Sequence, residues 1–152
     1  MDIKQALKQD MSLRDEQEEV ARRIRKLELA LARLEEEGSV KDSVKGGYGG
    51  TQHFVIEGFP MAEYNDVRSA LIRQRVRLTE LHKEITTSVD AVHQLINEID
   101  NSEIRRIITY RYVNGYTWDR VAWAMKGRYT DDSCRMLVAR YLENSPKNKK
   151  ES

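Results

Sequence analysis

Three observations predict an all-α chain. Apolar residues recur at alternating spacings of three and four over two long stretches. Only two of the 152 residues are proline, and both lie outside those stretches. Charged residues make up 34% of the chain against 7% aromatic, a balance that suits long solvated helices better than a thick globular core. The predicted architecture is two long heptad-patterned helices, arranged as a hairpin or a coiled coil, followed by a C-terminal three-helix unit. The length allows one or two small domains.

The first helix is expected over residues 1–38. Val20, Ile24, Leu27, Leu31 and Leu34 form an a/d stripe, and Leu13 extends it one heptad backward. Glu, Arg and Lys fill the flanks, as a solvated helix surface requires. Gly38 is the expected stop, because glycine takes a left-handed backbone without strain.

Residues 39–60, SVKDSVKGGYGGTQHFVIEGFP, read as a glycine-rich linker. Gly46, Gly47, Gly49 and Gly50 do not make a phosphate-binding loop, since no Lys-Ser/Thr pair follows them. His53-Phe54-Val55-Ile56 suits a short extended piece. A second long helix is expected over 61–101, with Pro60 at its start and Glu63 and Asp66 complementing the N-terminal dipole. Its stripe runs through Tyr64, Val67, Leu71, Gln74, Leu78, Leu81, Ile85, Ser88, Val92, Leu95 and Ile99. Gln74 and Ser88 are polar interruptions of the kind that fix register at some cost in stability. Asp100-Asn101-Ser102 breaks the helix and supplies caps for the next. The two stripes are compatible with an intramolecular hairpin or with pairing to a second chain.

Residues 102–144 divide into three short amphipathic segments. The first, near Glu103–Val113, presents Ile104, Ile107 and Ile108 and stops at Asn114-Gly115. The second is capped by Thr117 and places Trp118, Val121, Ala122 and Met125 at i, i+3, i+4 and i+7. Trp123 falls on the side opposite the Val121 seam. The turn Lys126-Gly127-Arg128-Tyr129 leads to Thr130, a cap for the third segment, with Asp131 and Asp132 in its first turn. There Cys134, Leu137, Val138, Tyr141 and Leu142 face inward, while Ser133, Arg135, Met136, Ala139 and Arg140 face outward. Residues 145–152, with Lys147, Lys149 and Lys150, read as a disordered basic tail.

Charge divides along the same boundary. From Ser102 onward eleven Lys and Arg stand against six Asp and Glu, a net +5, whereas the preceding residues carry a net −4. A basic end on an acidic chain points to a polyanionic partner for that end. Helix, turn and capped helix in this order form a helix-turn-helix, whose second helix meets base edges while flanking cations hold phosphates. Lys126, Arg128, Arg135 and Arg140 are the expected phosphate contacts. Tyr129, Thr130, Asp131, Asp132, Ser133 and Met136 complete the expected surface on double-stranded DNA.

The stretch YRYVNGYTWDRVAWAMKGRYTDDSCRMLVARYL resembles region 4 of sigma factors, and more closely the phage transcriptional regulators of the RinA/ArpU type. The resemblance is specific over about 102–143 and loose over the long helices. It implies a DNA-binding regulator of late phage or prophage genes, acting with host RNA polymerase as an oligomer, most simply a dimer, in the bacterial cytoplasm. It places Ser133, Arg135 and Met136 where sigma proteins contact bases and backbone. The turn between Met125 and Thr130 is about two residues longer than in typical sigma motifs, and Asp131 and Asp132 bring negative charge toward the DNA edge.

Catalysis finds no support. No nucleophile–base pair is legible, and His53, His82, His93 and Cys134 lack metal-ligand spacing, so no enzyme, metal or cofactor is expected. One cysteine allows no internal disulfide and suits a reducing compartment. No apolar run is long enough for a membrane span. Two other classes share the layout. A small terminase-like packaging protein also joins a helix-turn-helix to helical oligomerisation, and a helical protein-binding adaptor would use the fold as a scaffold.

Overall fold

The computed structural model describes residues 2–45 and 60–145, of which 38–45 are described as backbone only. Every regular element among them is helical, the all-α class predicted from the spacing. The elements are α1 (Ile3–Lys45), α2 (Met61–Asn97), α3 (Ser102–Ile108), a π-helical turn (Thr109–Val113), α4 (Trp118–Ala124) and α5 (Asp131–Glu143). The glycine-run and His53–Ile56 expectations, and the tail lysines, lie outside the described residues.

Two boundaries differ from the sequence reading. Gly38 does not end α1, which continues to Lys45. A glycine inside a helix costs only about 1 kcal/mol relative to alanine, and no proline follows to enforce a stop. At the other end α2 stops at Asn97 rather than 101. Ile99 still reaches the core at 3% exposure, carried there by a turn in which its N–H donates to the Ile96 carbonyl at 3.0 Å.

The chain separates into two compact units, Met1–Arg14 with Lys83–Ser152, and Asp15–His82. In the second unit α1 and α2 pair antiparallel within the chain. Val20, Ile24, Leu34, Leu71 and Leu81 are buried. Polar contacts cross the pair at three levels: Arg77 to Glu16 at 2.9 Å, Arg75 to Glu28 at 3.3 Å, and the Tyr64 hydroxyl to Glu35 at 3.1 Å. The Gln74 Oε1 is buried there without a hydrogen-bond partner.

The first unit carries the three C-terminal helices. Their core is not self-contained. Ile107, Val121, Cys134 and Val138 form one cluster with Ile3, Ala6 and Leu7 of α1 and Val92 and Ile96 of α2. A three-helix motif of some forty residues buries too little apolar surface to stand comfortably alone, and the helix ends supply the missing wall. Here also α1 and α2 meet within the chain, the Ser88 hydroxyl donating to Asp10 at 3.1 Å.

Candidate nucleic-acid interface

The α4–turn–α5 motif forms for local reasons. The Thr117 side chain accepts from the Arg120 N–H at 3.4 Å and opens α4, whose Val121 is fully buried, as is Met125 just beyond it. The turn then takes two consecutive left-handed residues, Lys126 at φ 61° and Gly127 at φ 73°. Glycine is at ease there, and lysine is not. Thr130 closes the turn and caps α5, accepting from the Ser133 N–H at 3.1 Å. Asp131 and Asp132 occupy the first turn of α5, where the helix dipole favours them. Cys134, Val138 and Leu142 point inward and are buried.

That orientation turns the other face of α5 outward. Asp132, Ser133, Arg135, Met136, Ala139 and Arg140 are all exposed, with Met136 at 53%. Thr130 and Lys126 are exposed beside it. Lys126 and Arg140 have no ion-pair partner among the described residues. Arg135 lies 3.5 Å from Asp132 on the same helix, an exposed pair of little energetic weight. No ion pair among the described residues joins an arginine of α5 to a glutamate of α1 or α2.

Two of the expected contact residues have other engagements. The Tyr129 hydroxyl donates a short hydrogen bond to Glu103 of α3. That bond, with burial and the Glu103 charge, raises its pKa above the ordinary 10.0. Arg128 lies 3.8 Å from the same carboxylate, with 67% of its side chain exposed. Glu103 thus ties the turn to α3, and Arg128 is held loosely enough to reach another anion. Asp131 is half-buried. The structure therefore leaves Ser133, Arg135, Met136 and Arg140 exposed along the outward arc of α5 and Lys126 and Arg128 exposed in the turn before it, and turns Tyr129 back toward its own fold.

Several supporting residues were not legible as such. Asp10 is 2% exposed, yet its carboxylate meets Arg14 at 3.0 Å and the Ser88 hydroxyl. Arg14 also donates to the Val113 carbonyl at 2.9 Å, clamping the π turn in which the Asn114 N–H reaches back to the Thr109 carbonyl. Asp10 falls three residues before Leu13 on the α1 stripe, so a polar pair with the Ser88 interruption was the available signal. Farther along, the Arg111 guanidinium lies 4.9 Å from the Trp118 ring centre and donates to the Tyr116 carbonyl. Arg120 covers the Tyr116 ring at 4.1 Å. Trp118 packs half-buried against the core, whereas Trp123 is 80% exposed.

No group of three or more His, Cys, Asp or Glu side chains suited to a metal ion occurs among the described residues, and none of their helices is long and apolar enough to cross a membrane. Burial and, secondarily, Asp131 push the Cys134 thiol above its ordinary pKa of 9.0, which disfavours the reactive thiolate. Comparison with protein-family models, curated proteins and solved structures returned no match.

Proposed function

We propose that this chain is a sequence-specific DNA-binding transcription regulator of phage or prophage late genes, entering the major groove with residues 130–142. It acts as a homo-oligomer, most simply a dimer, alongside host RNA polymerase in the bacterial cytoplasm. The observation that carries the DNA reading is the outward face of α5. A capped helix presents Ser133, Arg135, Met136 and Arg140 to solvent, and cations in the preceding turn flank it. In such a geometry Ser133 and Met136 address base edges, and Lys126, Arg128, Arg135 and Arg140 address phosphates. The transcriptional and phage parts rest on the resemblance to RinA/ArpU-type regulators.

Gel shifts and footprinting on duplex DNA test this. Sequence-preferring binding at moderate salt is expected, with protection of a discrete site near a late operon. Arg140→Ala should weaken binding to all duplexes about equally and reduce the logarithmic salt slope by about 1. Absence of any duplex preference, or unchanged binding after charge reversal at Lys126, Arg128, Arg135 and Arg140, would refute the proposal. A native mass near a many-membered ring rather than a dimer would move the function to DNA packaging.

A further inference from the structure

A second feature of the first unit lies apart from α5's outward face. Where the start of α1, the end of α2, α3 and the end of α5 meet, they leave a cleft of about 450 Å³, within the size range of ligand sites. Its walls include the apolar side chains of Ile3 and Ile104 and the Tyr141 ring, and its polar lining includes Glu98 and Asp100. Neither carboxylate has an ion-pair partner among the described residues. Ser145 is also part of the lining; it is 5% exposed, and its Oγ has no hydrogen-bond partner. A buried hydroxyl left unpaired costs about 1–3 kcal/mol, so this atom marks a vacant hydrogen-bonding position. Burial first, and then the Asp100 charge, push the Tyr141 hydroxyl above its ordinary pKa of 10.0, keeping it a neutral donor or acceptor.

We propose that this cleft receives a lysine side chain from a basic segment of a partner protein. The apolar walls suit the four-carbon stem, which lysine buries while its charged head seeks polar groups. Glu98 and Asp100 lie in the connector after α2, and Ser145 follows α5. Two carboxylates at the rim of an apolar cleft suit the compact ammonium of lysine, a point charge with three rotatable donors, whereas a planar guanidinium is best met by one carboxylate held bidentately. The proposal is independent of the DNA reading.

The test uses the full chain and a fluorescein-labelled, acetylated pentapeptide with one central lysine between two leucines. Fluorescence anisotropy follows binding at low salt, and circular dichroism confirms that each variant keeps its helices. E98Q/D100N should lose about tenfold in affinity, S145A should lose less, and an arginine peptide should bind more weakly. Duplex binding by E98Q/D100N should be no weaker than by the parent chain, which separates failure here from failure of the DNA reading. Equal peptide binding by parent and E98Q/D100N, or no binding by the parent, overturns the proposal. Binding that appears only after residues 146–152 are removed assigns the cleft to the chain's own lysines and overturns the partner reading. Displacement by spermidine at matched concentration overturns it in favour of a free polyamine.

Discussion

Removing Arg14 should be among the costliest single changes in the first unit. Its guanidinium serves two acceptors at once, the buried Asp10 carboxylate at 3.0 Å and the part-buried Val113 carbonyl at 2.9 Å. The Asp10 side chain is 2% accessible, so Arg14→Ala leaves a carboxylate with a single hydroxyl donor and almost no water. Breaking a fully buried pair costs about 3–5 kcal/mol. Arg14 itself is 35% accessible, so some water follows the truncation and the lower end, about 3 kcal/mol, applies. For a chain of this length that corresponds to a melting temperature lower by roughly 6–12 °C. Urea unfolding followed by tryptophan fluorescence measures it, because both tryptophans lie in the first unit. Asp10→Ala and the double variant complete a cycle, with a coupling energy above about 1 kcal/mol expected between contacting residues. A cost under 1 kcal/mol for Arg14→Ala, or additive single changes, would show that the network is not what holds the π turn.

Other expectations follow from local geometry. Gly127→Ala at φ 73° meets no atom within 4 Å, so its cost of about 1–2 kcal/mol is purely backbone and appears in the urea midpoint without a change in slope. Lys126→Asn, at φ 61°, should raise stability by a few tenths of a kcal/mol, because asparagine tolerates the left-handed region, while the lost cation weakens duplex binding. Thr130→Ala removes the cap on α5 and should cost about 1 kcal/mol, read by thermal melting. Cys134 has a folded pKa above its unfolded value, because burial disfavours the thiolate. The stability linked to this group is therefore complete below about pH 9 and declines as pH rises through the folded value. Iodoacetamide at pH 8 should leave the native thiol unmodified and react once urea unfolds the chain.

What was legible in the sequence follows from how local each determinant is. The heptad stripes name Val20, Ile24, Leu71 and Leu81 because burial along a helix repeats every three or four residues whatever the partner. Caps at Thr117 and Thr130 were readable because each acts on an N–H three residues away. The outward set of α5 follows from the same periodicity once the inward set is known. Gly38 misled because a glycine is weak punctuation: it permits a left-handed stop but does not enforce one. Tyr129 could not be assigned from sequence, since its partner Glu103 lies 26 residues earlier on another helix.

The pairing of the two long helices is the more instructive case. A heptad stripe is indifferent to whether its partner belongs to the same chain, so apolar residues alone could not choose between hairpin and dimer. Polar residues on the stripe are not indifferent. An aspartate at position 10 is tolerable in a seam only if something donates to it, and the α2 stripe is interrupted by a hydroxyl at position 88 and an amide at 74. An antiparallel hairpin joined near residues 46–59 matches positions whose numbers sum to about 100, which sets 10 against 88 and leaves 74 opposite apolar α1 residues. The structure pairs the first two at 3.1 Å and leaves the Gln74 Oε1 without a partner. Interruptions of a stripe therefore carry the register that the stripe itself lacks, and Asp10→Leu with Ser88→Leu should relax that register while leaving the helices intact.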